Sequence, residues 1–299
     1  TQLNGFFTIP DSIFAVEMLK KGDMKYVTID KYLAILGVSA IDFANTFNAE
    51  IRRPMKSGLI KSTEKHAIPA IKELIKTIVP RAKNLGETIC FSVPSPTMGS
   101  ESDLIFHETI LKKFLTSLGY NAKSINEGMA IILSELKEYN YTGIGISMGA
   151  GMCNVCFSFL SVPVLLFSIN KGGDDIDVSV SRVVNETENR IRVIKEGALD
   201  FTKTPKSNLE NALHIYYEDL ILNLVNNMTA IISQTEHFPL LKNAIPIVLA
   251  GGTAKPKGMK ELFEKILKNS NFPLDISEIT VASDPLLSTA KGAYISANS

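Results

Sequence analysis

Residues 143–159, GIGISMGAGMCNVCFSF, contain two apolar runs separated by a short glycine-rich turn. Short apolar runs bounded by glycine predict two buried strands joined by a turn. In such a turn, Gly149 and Gly151 would let backbone N–H groups approach a phosphate. The residue just before the turn, where a carboxylate would hold a metal-bound water, is Ser147. The segment therefore predicts either a phosphate site without that carboxylate or a tight turn that binds no ligand.

A second junction of the same kind follows later in the chain. The apolar run IPIVLA, residues 245–250, leads into Gly251-Gly252-Thr253 and then into a helical pattern. A glycine turn that opens a helix can present free N–H groups and the helix dipole to an anion. The alternative is again a turn without a ligand. Neither G-x-x-x-x-G-K-[ST] nor G-x-G-x-x-G occurs, which excludes a P-loop and a Rossmann dinucleotide site.

Other strand patterns alternate with helical patterns along the chain. Strands are predicted at residues 5–17, 25–29, 87–96, 162–169 and 277–282, and helices at residues 29–47, 62–82, 100–120, 206–234, 255–268 and from Asp284 onward. The alternation predicts an α/β fold whose parallel sheet elements are covered by helices on both faces. The helix at 206–234 has a capping box at Ser207 and Glu210. Its predicted apolar face comprises Leu209, Leu213, Tyr216, Leu220, Leu224 and Met228.

Composition excludes several classes of function. The chain carries 31 Lys and Arg and 31 Asp and Glu residues, so no basic field predicts binding to nucleic acid or to an anionic membrane. Its longest apolar run, residues 155–169, is interrupted by serines and a proline and is shorter than the roughly 20 residues of a membrane helix. Three cysteines in strand patterns predict a reducing compartment, and we expect a cytoplasmic protein. Cys153-x-x-Cys156 is interpreted as two buried structural cysteines, and the scattered histidines match no metal spacing, so no metal site is predicted.

Several segments, taken in order, resemble the actin-like ATPase superfamily, which includes actin, the seventy-kilodalton heat-shock chaperones and sugar kinases. The strongest resemblance is to MreB, the bacterial actin. The segments are residues 93–132, 143–155, 171–177, 245–266 and 282–296, together with RRPMKSGLI at residues 52–60. The resemblance implies an actin-like (ribonuclease H-like) two-domain α/β fold with mixed sheets flanked by helices. Residues 1–141 would form domain I, with the helix 284–299 packing back on it, and residues 142–283 would form domain II with a reduced outer subdomain.

The resemblance also implies an adenine-nucleotide site that takes ATP or ADP. Glu127 stands where MreB-like sequences carry an acid that orients the attacking water, and it is the catalytic candidate. The second phosphate loop would consist of Ser147, Gly149, Ala150, Gly151 and Met152. The adenosine-binding residues would be Lys195, Glu196, Gly251, Gly252, Thr253 and Asp284.

The sequence departs from the family pattern where hydrolysis takes place. The family's second phosphate loop reads D-x-G-G-G-T, whereas Ser147 and Met152 replace the carboxylate and the hydroxyl here. The family's first phosphate loop, D-x-G-[ST], has no counterpart in this sequence, and residues 5–17 are interpreted as the third strand of the fold. Phosphoryl transfer depends on positioning and on charge neutralisation by Mg²⁺. These changes leave little to hold Mg²⁺, and we expect weak or no ATP hydrolysis.

Two functions are compatible with these features, and a third is disfavoured. The first is a scaffold or assembly partner with a degenerate nucleotide site, a pseudo-ATPase. The second is an ATP-binding actin-like cytoskeletal or chaperone-type ATPase, which the retained glycines favour. A sugar or acetate kinase would need a catalytic carboxylate and a substrate pocket that the sequence does not show. The strand at residues 5–17 would leave an unpaired apolar edge, which predicts self-association or a protein partner along it.

Overall fold

The computed structural model describes residues 4–47, 49, 51–60, 63–64, 66–96, 101–236 and 238–299. The chain divides into two compact units, Thr1–Thr88 with Ser102–Ala122, and Ile89–Glu101 with Lys123–Ser299. The sequence predicts a different division, at residue 141, which rests on the family resemblance. The domain assignment made from the sequence therefore stays a prediction.

The first unit is built on a three-stranded antiparallel sheet in the order β1-β3-β2. Its elements are β1 (Phe6–Pro10), α1 (Ile13–Lys21), β2 (Tyr26–Ile29), β3 (Tyr32–Leu36), α2 (Val38–Thr46), β4 (Met55–Lys56), β5 (Leu59–Ile60), α3 (Ala67–Lys76) and most of α4 (Glu101–Ser117). The central strand β3 is buried on both faces. Ala34 and Leu36 belong to one apolar cluster, and Leu33 and Ile35 belong to the other.

The prediction of a single strand over residues 5–17 is wrong. Strand β1 ends at Pro10, which has no N–H to continue a ladder. Ser12 then caps helix α1, because its Oγ accepts the N–H of Ala15 at 3.1 Å. The local cap thus converts the second half of the apolar segment into a helix.

The prediction of a single helix over residues 29–47 is also wrong. A tight turn at Asp30, with φ of 54°, joins β2 to β3, and Gly37, with φ of 64°, separates β3 from α2. Positive φ at both positions interrupts a helix. Only Val38–Thr46 is helical.

The second unit is built on a five-stranded mixed sheet in the order β10-β9-β8-β11-β12. Strands β8, β9 and β10 form consecutive antiparallel hairpins, while β11 runs parallel to both β8 and β12. The elements in or bordering this unit are β6 (Thr88–Val93), β7 (Asn121–Asn126), α5 (Glu127–Glu135), β8 (Gly143–Met148), β9 (Cys153–Phe159), β10 (Val162–Ile169), α6 (Gly173–Val184), α7 (Glu188–Ala198), α8 (Asn208–Gln234), β11 (Ile245–Ala250), α9 (Met259–Lys268), β12 (Ile276–Val281) and α10 (Ser288–Ala297). The predicted double strand at residues 143–159 is confirmed.

Helix α8 supplies much of the apolar core of this unit, as its pattern predicts. The predicted core residues that are buried are Leu213, Leu220, Leu224 and Met228. Tyr217 is fully buried, whereas the predicted Tyr216 is only partly buried. Ser207 caps the helix, with its Oγ accepting the N–H of Glu210 at 3.1 Å.

Glycines let α5 pack at very short distances between the sheet and α10. A Cβ atom on Gly145 of β8 would lie 2.4 Å from the carbonyl oxygen of Gly128. One on Gly292 of α10 would lie 1.7 Å from the carbonyl oxygen of Ala130. This packing fixes the amino-terminal end of α5, where Glu127 lies.

Candidate functional site

The two predicted glycine turns lie at the same edge of the five-stranded sheet. Strands β8 and β11 are parallel neighbours, with Ser147 opposite Ala250. The turns at residues 149–152 and 251–254 therefore both follow the carboxyl ends of parallel strands. Ligands of open α/β sheets bind outside such ends. The fold thus brings the predicted phosphate and adenosine segments together.

Hydrogen bonds fasten the first turn to the start of helix α6 and to the second turn. The carbonyl oxygen of Gly149 accepts from the N–H of Gly173 at 3.0 Å and from Thr253 Oγ1 at 2.9 Å. The carbonyl oxygen of Ala150 accepts from the N–H of Asp174 at 2.7 Å. The first N–H groups of α6 are therefore used within the protein and are not open to an anion.

The two glycines of the second turn have different roles. Gly251 has a φ of 96°, and a Cβ atom there would lie 2.3 Å from the carbonyl oxygen of Met148. Its N–H donates to the carbonyl oxygen of Pro285 at 2.7 Å. A Cβ atom on Gly252 would meet only Leu286 Cδ2, at 3.7 Å. Gly251 thus allows close strand packing, while Gly252 faces open space.

The first turn has backbone groups suited to phosphate oxygens. Within the described part of the chain, the N–H groups of Ala150 and Gly151 have no hydrogen-bond acceptor. Ala150 is exposed and Gly151 is partly exposed, whereas the Met152 side chain is buried. Consecutive open N–H groups in a glycine turn form an anion-binding concavity. The turn therefore fits a phosphate, which Met152 could contact only through its backbone.

A hydrogen-bonded network surrounds Glu127 at the head of α5. Ser147 Oγ donates to Glu127 Oε2 at 2.8 Å, and Asn154 Nδ2 donates to the same oxygen at 2.9 Å. Burial raises the pKa of Glu127, and the two hydrogen bonds oppose that rise without cancelling it. The structure thus joins two predicted site residues, Glu127 and Ser147, by a direct contact.

Sequence reasoning missed the residues that hold this network together. The Asn154 side-chain oxygen accepts the N–H of Ser95 at 2.7 Å, and Asn126 Nδ2 donates to Ser95 Oγ at 2.7 Å. Asn126 also caps α5, because its Oδ1 accepts the N–H of Gly128 at 2.9 Å. One signal was present in the sequence, since Asn154 is a polar residue within an apolar strand pattern.

Lys195 and Glu196 lie on helix α7 in different environments. Lys195 is buried, and its Nζ lies 2.7 Å from Asp177 Oδ1 and donates to the carbonyl oxygen of Gly173 at 2.6 Å. Glu196 is exposed to solvent. The ammonium of Lys195 is therefore directed into the protein.

Asp284 lies in the segment that follows β12, at the same sheet edge as the two turns. The prediction that it opens the last helix is wrong, since α10 begins at Ser288. Asp284 forms a turn in which its carbonyl oxygen accepts the N–H groups of Leu287 and Ser288, both at 3.0 Å. The Pro285 that follows has a carbonyl oxygen that accepts a hydrogen bond from the second glycine turn.

The side chains at this edge do not fit a protein-held Mg²⁺. Among the described residues, no group of three or more His, Cys, Asp and Glu side chains is arranged to hold a metal ion. At the end of β8, Ser147 presents a hydroxyl that already donates to Glu127. Mg²⁺ prefers carboxylate and phosphate oxygens, and no free carboxylate stands at this position.

The strand order of the five-stranded sheet and the paired glycine turns at the carboxyl ends of its strands match an actin-like α/β fold. A sequence profile described as Volactin matches residues 1–297, and the chain belongs to this family. A search of curated protein sequences found no match.

Solved structures with the same fold confirm the predicted fold class and the resemblance to MreB. The MamK double helical filament matches at a TM-score of 0.72 and 17% identity, over 99% of this chain and 91% of the other. MreB 5 of Spiroplasma citri bound to AMPPNP matches at 0.66 and 17% identity, over 89% and 85%. The ethanolamine utilization protein EutJ from Carboxydothermus hydrogenoformans matches at 0.56 and 19% identity, over 87% and 80%.

In the part of the chain that the structure describes, no helix has both the length and the apolar character needed to cross a bilayer.

Proposed function

We propose that this protein is an actin-like cytoskeletal scaffold that binds adenine nucleotide weakly and hydrolyses ATP slowly or not at all. The observation that carries the proposal is the 2.8 Å hydrogen bond from Ser147 Oγ to Glu127 Oε2. The hydroxyl that replaces the family's carboxylate here engages the acid that would orient water. A bound nucleotide would supply the phosphoryl group, and the Ala150 and Gly151 N–H groups would hold its phosphates.

The site retains backbone groups that would position the phosphates of a nucleotide, but it lacks side chains that would help to neutralise their charge. The raised pKa of Glu127 favours its protonated form, and Oε2 already accepts two hydrogen bonds. Ser147 supplies no carboxylate and Met152 no hydroxyl to hold a Mg²⁺ ion, which would neutralise the charge that develops on a transferred phosphoryl group. These features support a nucleotide that is bound but not turned over.

Steady-state phosphate release with Mg-ATP tests the proposal. We expect little or no release above the blank, at the same rate for the parent and for Glu127→Gln. Turnover on the order of 1 s⁻¹ that Glu127→Gln abolishes would overturn the pseudo-ATPase assignment. That result would establish the second candidate, an ATP-binding actin-like ATPase, which the contact of Glu127 with Ser147 next to the first turn favours.

Nucleotide binding is tested separately at the second turn. We expect Gly252→Val to weaken binding of a fluorescent ATP analogue at least tenfold, because the branched side chain would fill the open space beside the turn. The free energy of unfolding in urea should stay near that of the parent, since a Cβ atom there meets only Leu286. Gly251→Val is the contrasting variant, and we expect it to unfold the protein, because Gly251 packs against Met148. Unchanged binding by Gly252→Val would contradict the placement of the nucleotide.

Self-association is a further part of the proposal. The solved MamK structure is a double helical filament. In this chain, Phe6 exchanges two 2.8 Å backbone hydrogen bonds with Arg52, which covers one end of the outer edge of β1, and Pro10 ends that edge. Ile13 and Phe14 beside it are 83% and 77% exposed. The exposed Ile13 and Phe14 support self-association or a protein partner at the start of α1, whereas the pairing of Phe6 and the proline at position 10 restrict strand addition along the outer edge of β1.

Light scattering with and without ATP tests this part. We expect particles larger than a monomer at micromolar concentration, and we expect Ile13→Ser/Phe14→Ser to shift them toward the monomer. Monodisperse monomer under all conditions would overturn the assembly proposal.

The free thiols of Cys90, Cys153 and Cys156 support a cytoplasmic setting for such an assembly.

A further inference from the structure

A buried cluster of charges joins helix α6 to helix α7 beside the first glycine turn. Asp177 is fully buried, and Lys195 is 7% exposed. Lys195 Nζ lies 2.7 Å from Asp177 Oδ1, and Arg192 Nε lies 3.4 Å from Asp177 Oδ2. Arg192 Nη2 also lies 3.3 Å from Asp174 Oδ1. Two acids three residues apart on α6 thus face two cations three residues apart on α7, and the cluster is electrically neutral.

The cluster is connected to the turn through one peptide unit. The Lys195 ammonium donates to the carbonyl oxygen of Gly173 at 2.6 Å. The N–H of the same peptide unit belongs to Asp174 and donates to the carbonyl oxygen of Ala150 at 2.7 Å. Successive hydrogen bonds through one peptide group polarise and strengthen one another. A continuous chain of hydrogen bonds therefore runs from the ammonium on α7 to the turn.

Close packing around Gly173 leaves this ammonium little freedom. A Cβ atom on Gly173 would lie 3.0 Å from Lys195 Nζ and 2.7 Å from Thr253 Oγ1. The N–H of Gly173 donates to the carbonyl oxygen of Gly149 at 3.0 Å. The ammonium, the start of α6 and both glycine turns therefore form one packed assembly.

We propose that Lys195 and Asp177 are positioning residues that hold the turn at residues 149–151 in its anion-accepting geometry, and that Lys195 does not itself contact nucleotide. This inference rests on the proposed nucleotide site. Asp177 compensates the charge of the ammonium, whose donors are directed at protein atoms. Removing Lys195 alone would leave a buried carboxylate without its closest cation, which is strongly unfavourable. This role differs from the ribose or adenine contact that the resemblance implies for Lys195.

Two variants separate the positioning role from the cost of a buried unpaired charge. Lys195→Met leaves Asp177 buried beside a neutral side chain, whereas Lys195→Met/Asp177→Asn removes both charges. With a fluorescent ATP analogue, we expect both variants to bind at least tenfold more weakly than the parent, because both lack the ammonium that donates to the Gly173 carbonyl oxygen. Parent-like binding by the double variant would overturn the proposal, since the turn would then keep its geometry without the pair. Lys265→Met, which removes an exposed pair with Glu218 at 3.3 Å, is the matched control and should bind like the parent.

Hydrogen exchange without nucleotide keeps this test distinct from that of the proposed function. We expect the amides of Gly173 and Asp174 to exchange at least tenfold faster than in the parent in both Lys195→Met and the double variant, whereas a residue that only contacts nucleotide would leave these rates unchanged. Failure of the parent to bind nucleotide would reject the proposed function, while the exchange rates would still test the positioning role. Unchanged exchange in a folded Lys195→Met would overturn that role. If Lys195→Met does not fold, the double variant decides, because faster exchange in it supports the proposal and parent-like protection contradicts it.

Discussion

The imidazole of His107 is buried in the first unit, where its Nδ1 accepts the N–H of Ile60 at 3.2 Å. Burial lowers the pKa of His107 from 6.5 to about 4. Between these values the unfolded chain binds a proton that the folded chain does not. The stability associated with neutral His107 is therefore fully present above pH 6.5 and is lost progressively as the pH falls from 6.5 through about 4.

This linkage predicts a pH dependence that one substitution removes. Between pH 7 and pH 4.5, we expect the free energy of unfolding to fall by about 2–3 kcal/mol more in the parent than in His107→Asn. The asparagine amide oxygen can replace Nδ1 as the acceptor for Ile60 without titrating. Urea unfolding at both pH values measures the difference. His214→Asn, at a partly exposed histidine that packs on Phe201, is the control and should keep the parent's pH dependence. Equal dependence in the parent and His107→Asn would contradict the prediction.

At the scale of elements, the contact between α5 and α10 depends on a single glycine. We expect Gly292→Ala to lower the free energy of unfolding by at least about 3 kcal/mol, because the added Cβ atom would lie 1.7 Å from the carbonyl oxygen of Ala130. The helix propensity of alanine, which is about 1 kcal/mol better than that of glycine, is too small to compensate. Gly197→Ala on α7 is the matched control, since nothing lies within 4 Å of its added Cβ atom. It should gain about 0.5–1 kcal/mol. Urea unfolding of both variants tests this, and a parent-like Gly292→Ala would show that the two helices can separate.

An element is predictable from the sequence when its pattern of apolar and polar residues fits either a helix or a strand but not both. Helix α8, with its cap and one apolar face, and the double strand β8–β9 are examples. Strand β3 is not, because YLAIL is uniformly apolar and fits a buried strand as well as a buried helix. At the candidate site, the turns are predictable because glycines directly follow apolar strand patterns, and at Gly251 the φ of 96° favours glycine. The bonds of Glu127 to Ser147 and Asn154 are not, since they join positions 20 and 27 residues apart that only the tertiary fold brings together.

At the scale of the whole molecule, the cysteines report on unfolding of the second unit. Burial raises the pKa of Cys153 and of Cys156 to about 12, whereas Cys90 is partly exposed. Because the thiolate is the reactive form, we expect one thiol per chain to react with a disulfide reagent in the native protein. The other two should react only as fast as the unit unfolds. A Cys90→Ser variant should show no fast phase, and rapid reaction of two or three thiols in native buffer would refute this prediction.

The backbone contact of α10 with α5 also has a mechanical consequence. A load applied at the carboxyl end of this chain, by a fused domain or a tethered neighbour, would pass into α10 and from there into α5 through Gly292 and Ala130. Since Glu127 is the first residue of α5, the path from the point of loading to the acid crosses a single helix junction. Tension at the end of the chain would thus strain the hydrogen bonds that Glu127 accepts from Ser147 and Asn154.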